Sequence, residues 1–102
     1  MGKFSSLDAK VAVFKALAHP TRLRIVQDLA EGELCVCVLL ESFPIDMSTL
    51  SRHLGVLKNA GVVDCEKRGK NVYYRLACPC LTRIFDCLDA LDADAKRCAC
   101  GR

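Results

Sequence analysis

"DMSTLSRHLGVLKNAGVVDCEKRGKNVYYRL", residues 46–76, changes its hydrophobic period part-way along. Up to Ala60 the apolar residues Leu50, Leu54 and Leu57 return at intervals of three and four, the spacing that buries one face of an α-helix. Gly61 closes that helix. Beyond it the pattern alternates, so Val63 and Cys65 are expected inward and Asp64 and Glu66 outward, with "RGKN" turning the chain into a second strand. Upstream, Phe4, Leu7, Val11, Phe14 and Leu17 mark a first helix, which "HPTR" stops. Pro20 suits the opening turn of a second, carried by Leu23, Ile25, Val26 and Leu29 to Gly32. A third helix is expected from near Leu34 to just before Pro44, joined by "FPID" to the helix of the quoted stretch. Downstream, Leu81, Ile84, Phe85, Leu88 and Leu91 share a face of a last helix from about Leu81 to Lys96. The fold class is mainly α with a β-hairpin wing, a winged helix-turn-helix. The first and last helices are more apolar than their own packing needs, so they are expected to pair across a two-fold axis as a homodimer. The whole chain, 1–102, reads as one domain with 97–102 a mobile tail.

With 102 residues and a net charge of +3, the chain leaves a small domain only a thin margin of stability, which favours self-association. The charge is concentrated. From Met47 to Ala77 six basic residues (Arg52, Lys58, Lys67, Arg68, Lys70, Arg75) face two acidic ones (Asp64, Glu66), while beyond Cys78 four of each sign cancel. A localised basic segment suits either a nucleic-acid footprint or a solvated charged face. No apolar run approaches the ~18–20 residues that cross a bilayer, and no charged segment leads into a secretory core. A cytoplasmic location without membrane contact is expected. "MGKFSS" fits the N-myristoylation spacing through Gly2 and Ser6, a pattern short enough to arise often by chance.

On a helical wheel with Leu50, Leu54 and Leu57 buried, the opposite face presents Ser48, Arg52, Gly55 and Asn59, with Ser51, Thr49 and Val56 beside them. Gly55 leaves a gap for close approach to a duplex. Ser48 and Thr49 lie in the first turn, where backbone N–H groups favour a phosphate. Arg52 has the fork that donates two hydrogen bonds to guanine, and Asn59 can reach the DNA backbone. His53 lies nearer the core edge, suited to packing or to a phosphate more than to a base. Arg68, Lys70 and Asn71 at the hairpin tip are placed to approach a neighbouring phosphate or the minor groove.

Eight cysteines in a reducing compartment point to metal binding or thiol chemistry. Six form Cys-x-Cys pairs: Cys35 with Cys37, Cys78 with Cys80, Cys98 with Cys100. The absence of Cys-x-x-Cys, of a nucleotide loop and of a base beside a nucleophile argues against zinc knuckles, thioredoxin-like motifs and a thiol enzyme. Cys65 and Cys87 read as packing residues. On a helix, Cys35 and Cys37 would point about 200° apart.

Together "HPTRLRIVQDLAEGELCVCVLL", "STLSRHLGVLKNAGVV" and "RGKNVYYRL" resemble the ArsR/SmtB family of metal-sensing winged-helix repressors, over about residues 8–92. The resemblance implies a homodimer on an imperfect inverted repeat of double-stranded operator DNA, released when its inducer binds. Relatives that sense zinc through the last helix carry Asp and His there. Here the histidines are His19 and His53, so that site is absent.

"ELCVC" looks like the family's arsenite-type motif and maps onto Cys35 and Cys37 as metal ligands. Many members carry a third cysteine where this chain has Leu40, leaving Cys78, Cys80, Cys98 or Cys100 as candidates for the third ligand. As(III) or Sb(III) is the expected inducer, because a soft trivalent ion takes three thiolates. Other thiophilic ions fit the same donors, and no organic cofactor is implied. If both sulfurs start a helix, one ion can hold them only by unwinding its first turn, and that distortion is the expected trigger. Oxidation or persulfidation of the thiols of the same repressor is the alternative.

Overall fold

The computed structural model describes residues 7–98. In chain order the elements are α1 (Leu7–Leu17), α2 (Pro20–Leu29), β1 (Leu34–Cys35), α3 (Val36–Ser42), α4 (Met47–Asn59), β2 (Val63–Arg68), β3 (Asn71–Leu76), a 3-10 turn at Pro79–Leu81, and α5 (Thr82–Cys98). Phe4 and the Gly2 and Ser6 pattern lie outside the described residues, as does Cys100.

The core forms where the periodicity requires. Leu50, Leu54 and Leu57 of α4 meet Ile25, Val26 and Leu29 of α2, Leu39 of α3, and Val63 of β2, all nearly inaccessible to water. Pro20 opens α2 behind an unusual cap, the His19 Nδ1 accepting from the Thr21 N–H at 3.1 Å. Asp46 caps α4, its carboxylate accepting from the Thr49 N–H at 3.0 Å and the Ser48 hydroxyl at 3.2 Å. Gly61, at φ 83°, takes the left-handed turn that ends the helix.

The third helix starts later than its apolar run suggests. Leu34 and Cys35 are extended and pair with Tyr74 and Tyr73, adding a short strand to the hairpin, so the sheet has three strands in the order β1-β3-β2. The last helix runs past Lys96 through Arg97 to Cys98, which removes those two residues from the expected tail.

Residues paired across antiparallel strands share a face of the sheet. Leu34, Tyr74 and Cys65 therefore form one row toward the core, while Cys35, Tyr73 and Glu66 form the next row on the outer face. Leu7, Val11 and Phe14 of α1 and Leu88 and Leu91 of α5 stand exposed on the protomer, as expected of helices that pair with a second copy. Cys87, beside that apolar face, is exposed too and is not packed within the protomer. Among the described residues no helix is long and apolar enough to cross a membrane.

Candidate functional site

The outer face of α4 carries Ser48, Ser51, Arg52 and Asn59, all exposed. Arg52 makes no hydrogen bond or ion pair with the described residues, so its guanidinium is free for a ligand. A Cβ built on Gly55 meets nothing within 4 Å; no neighbour in the fold requires glycine there. The first turn differs from expectation. The Thr49 N–H is already taken by Asp46, whose carboxylate is held below its ordinary range by the Thr49 and Ser48 hydrogen bonds and occupies the positive end of the helix. The Ser48 hydroxyl is taken by the same carboxylate and the Leu50 N–H by the Asp46 carbonyl, which leaves the first-turn N–H groups of Met47 and Ser48, rather than Thr49, as donors to a phosphate. An aspartate directly before an apolar-periodic run was the available signal for this cap.

His53 is half-buried with its ring centroid 4.6 Å from that of His19. Burial, then the charges of His19, Arg22 and Arg52, pushes its pKa below the ordinary value of about 6.5. Below that value the unfolded chain binds a proton that the folded chain refuses, so stability rises with pH across the window. Urea unfolding between about pH 5 and about pH 8 is expected to show stability falling as the solution is acidified below about 6.5. His53→Gln should lose less of it over the same range.

Lys70 and Asn71 stand exposed at the turn between β2 and β3. Arg68 is not free as expected. It donates two parallel hydrogen bonds to Glu33, at 2.9 and 2.8 Å, and a third to Glu66 at 2.9 Å, and lies 4.7 Å over the Tyr73 ring.

The thiol pair overturns the sequence geometry. Cys35 is the N-cap of α3, with ψ 145°, and not part of its first turn. From that extended position its side chain swings back over the helix end, and the Cys35 and Cys37 sulfurs stand 2.8 Å apart. The Cys37 N–H also donates to Cys35 Sγ at 3.4 Å. The hydrogen bond with the Cys37 side chain, chiefly, and donation from the Cys37 backbone lower the Cys35 pKa against the opposing effect of burial. Cys37 moves the other way, first through its side-chain hydrogen bond with Cys35, then by burial and by the charge on Cys35. Cys35, buried, is thus the sulfur that gives up its proton more readily, and exposed Cys37 is the way in. Holding one ion asks for rotation of two side chains, and the expected unwinding of the helix is not required.

Cys65 lies in the neighbouring row on the opposite face of the sheet from Cys35, which excludes it as a shared ligand. Cys78 and Cys80 are exposed beyond the end of β3, Cys78 bordering a cleft with Val13, Gly61, Val62 and Leu81. Among the described residues no three of His, Cys, Asp or Glu converge on a metal position, so the fold does not bring Cys78 or Cys80 to the pair within a protomer. Cys98 ends α5.

A family model described as bacterial regulatory protein, arsR family, matches residues 19–64, the span from the α2 cap into the first wing strand. The chain is 42% identical over 79 residues to the biofilm growth-associated repressor of Agrobacterium fabrum, covering 78% of this chain and 68% of that protein. It is 38% identical over 88 residues to the arsenical resistance operon repressor of Staphylococcus xylosus, covering 86% and 85%. The chain belongs to the ArsR family. Among solved structures, a homodimeric winged helix-turn-helix DNA-binding domain from Mycobacterium bovis superposes with a TM-score of 0.79 at 32% identity, covering 91% of this chain and 86% of that one. As an ArsR-family transcriptional repressor the protein is a DNA-binding regulator and not an enzyme. In the ArsR architecture α3 and α4 are the helix-turn-helix and β2–β3 the wing.

Proposed function

We propose that this chain is a homodimeric repressor that grips an imperfect inverted repeat of operator DNA and lets go when As(III) or Sb(III) is bound by Cys35 and Cys37. The observation that carries the inducer reading is the convergence of the two sulfurs at 2.8 Å, one of them with a lowered pKa, at the start of the helix that supports α4. Arsenous acid exchanging two hydroxyls for the two sulfurs breaks two As–O bonds, forms two As–S bonds and releases two waters. The two thiol protons leave in those waters, and arsenic stays trivalent. The third position falls to Cys98 or Cys100 of either subunit, or to Cys78 or Cys80 of the partner subunit. The arsenical-operon relative supports this choice of ion.

For DNA, we assign base reading to Arg52 and backbone contacts to Ser48, Ser51, Asn59, Lys70 and Asn71, with His53 positioning the helix beside them. The open space at Gly55 gives a sharp check. Gly55→Ala should stabilise the fold by about 0.5–1 kcal/mol, raising Tm by a few degrees, while weakening operator binding because the new methyl stands where the duplex must approach. Thermal melts and a gel-shift titration of the same preparation read both. Tighter or unchanged operator binding would remove α4 from close contact with the groove.

A release assay on As(III), Sb(III), Cd(II), Pb(II), Zn(II), Cu(I), peroxide and polysulfide tests the inducer. Release by As(III) and Sb(III), with sulfur-to-arsenic absorbance rising in step, supports the reading. Release by peroxide or polysulfide alone transfers the thiol pair to redox or reactive-sulfur sensing. The exposure of Cys37 beside a sulfur whose pKa is lowered favours that second reading, whereas the strain of a disulfide between cysteines one residue apart weighs against it.

A further inference from the structure

Arg68 stands at the end of β2, next to the wing turn, yet its guanidinium, though still partly in water, is engaged by Glu33. The contact is a two-pronged one, Nη1 to Oε1 at 2.9 Å and Nη2 to Oε2 at 2.8 Å, between residues 35 positions apart. Glu66 accepts from the same Nη2 at 2.9 Å, and Arg75 lies 3.6 Å from Glu33 and 3.4 Å from Glu66. The Tyr73 ring lies beneath the Arg68 guanidinium. Tyr73 is also the residue directly across from Cys35. The four charges and the thiol-bearing strand thus occupy one outer face of the sheet, with Glu33 two residues before Cys35.

A planar carboxylate held by the Arg fork presents the same two-oxygen edge as a phosphate. All four side chains of the network remain partly in water, so a duplex drawing near can compete for the cation. We propose that Arg68 exchanges Glu33 for a DNA phosphate when the wing engages the duplex, which makes Glu33 a built-in competitor of the operator and a positioning residue that links the thiol strand to the wing. This link rests on the inducer reading above. An ion holding Cys35 and Cys37 together fixes β1 in its register with Tyr73 and keeps Glu33 beside Arg68. DNA needs Glu33 to let go, so the two ligands oppose each other by the same factor in both directions. The wing is then read directly from the strand that bears the sensor, without any loss of helix in α3.

Operator affinity as a function of salt, with and without arsenite, decides this in the full-length chain for four proteins: wild type, Glu33→Gln, Arg68→Gln and the double variant. Each phosphate contact by a cation adds about one to the steepness of the salt dependence. Glu33→Gln is expected to bind the operator at least as tightly as wild type, with a salt slope steeper by up to about one. The loss of DNA affinity caused by arsenite should shrink at least about threefold, with arsenite still captured as judged by sulfur-to-arsenic absorbance. In the Arg68→Gln background Glu33→Gln should change neither quantity. The proposal is overturned if Glu33→Gln leaves both the slope and the arsenite response at wild-type values, or if it acts equally without Arg68. A wild-type protein that shows no arsenite absorbance would refute the inducer reading, while the salt-slope comparison would still judge the exchange of partners.

Discussion

Replacing Cys35 and Cys37 together by serine leaves operator binding intact and abolishes release by arsenite. Coupling between an inducer and DNA is typically worth about 1–3 kcal/mol, a ~5–150-fold change in operator affinity, and the double variant should bring that factor to about one. The substitution separates sensing from folding for a structural reason. Cys35 caps α3 through its side chain, and a serine hydroxyl is a better cap than a sulfur at 3.4 Å, while Cys37 is exposed and carries no packing. Thermal stability should therefore stay near that of wild type, and gel shifts with and without arsenite give the answer. If the double variant were still released normally, the inducer would have to be held by other sulfurs.

The second large effect belongs to Arg52→Ala. A bidentate contact to guanine contributes about 1–3 kcal/mol of discrimination, so operator affinity should fall by ~5–150-fold, with specificity relaxed at a single base pair of each half-site. Fold stability should not move, because Arg52 is exposed and makes no hydrogen bond or ion pair with the described residues, and alanine suits a helix interior as well as arginine does. Binding to a set of half-site variants distinguishes base reading from backbone contact. Uniform weakening across all sequences, with the salt slope lowered by about one, would place Arg52 on a phosphate and refute the base assignment.

What the sequence disclosed was what is decided locally. Leu50, Leu54 and Leu57 announced α4 because three- and four-residue spacing needs no knowledge of the rest of the chain, and alternation from Val63 announced the hairpin for the same reason. Two residues have no period. Leu34 and Cys35 sit in an apolar run that a helix could equally claim, and only pairing with Tyr74 and Tyr73, almost forty positions away, makes them a strand. That one local choice reverses the reading of the thiols, from diverging on a helix to converging at its cap. The Glu33–Arg68 pair was invisible for a related reason, since it depends on the register that β1 adopts against β3. Arg68 was expected to be free at the wing tip because charge counts say where cations lie along a chain and nothing about which of them already have partners.

The bare leucines and phenylalanine along the two terminal helices set a threshold on supply. A chain made at a trickle spends its time alone with that grease in water, open to proteolysis, and becomes durable only when copies are abundant enough to cover one another. Occupancy of the promoter would then climb with the square of gene dosage, giving a cell an abrupt onset of silencing from a protein that itself has no need of abrupt chemistry.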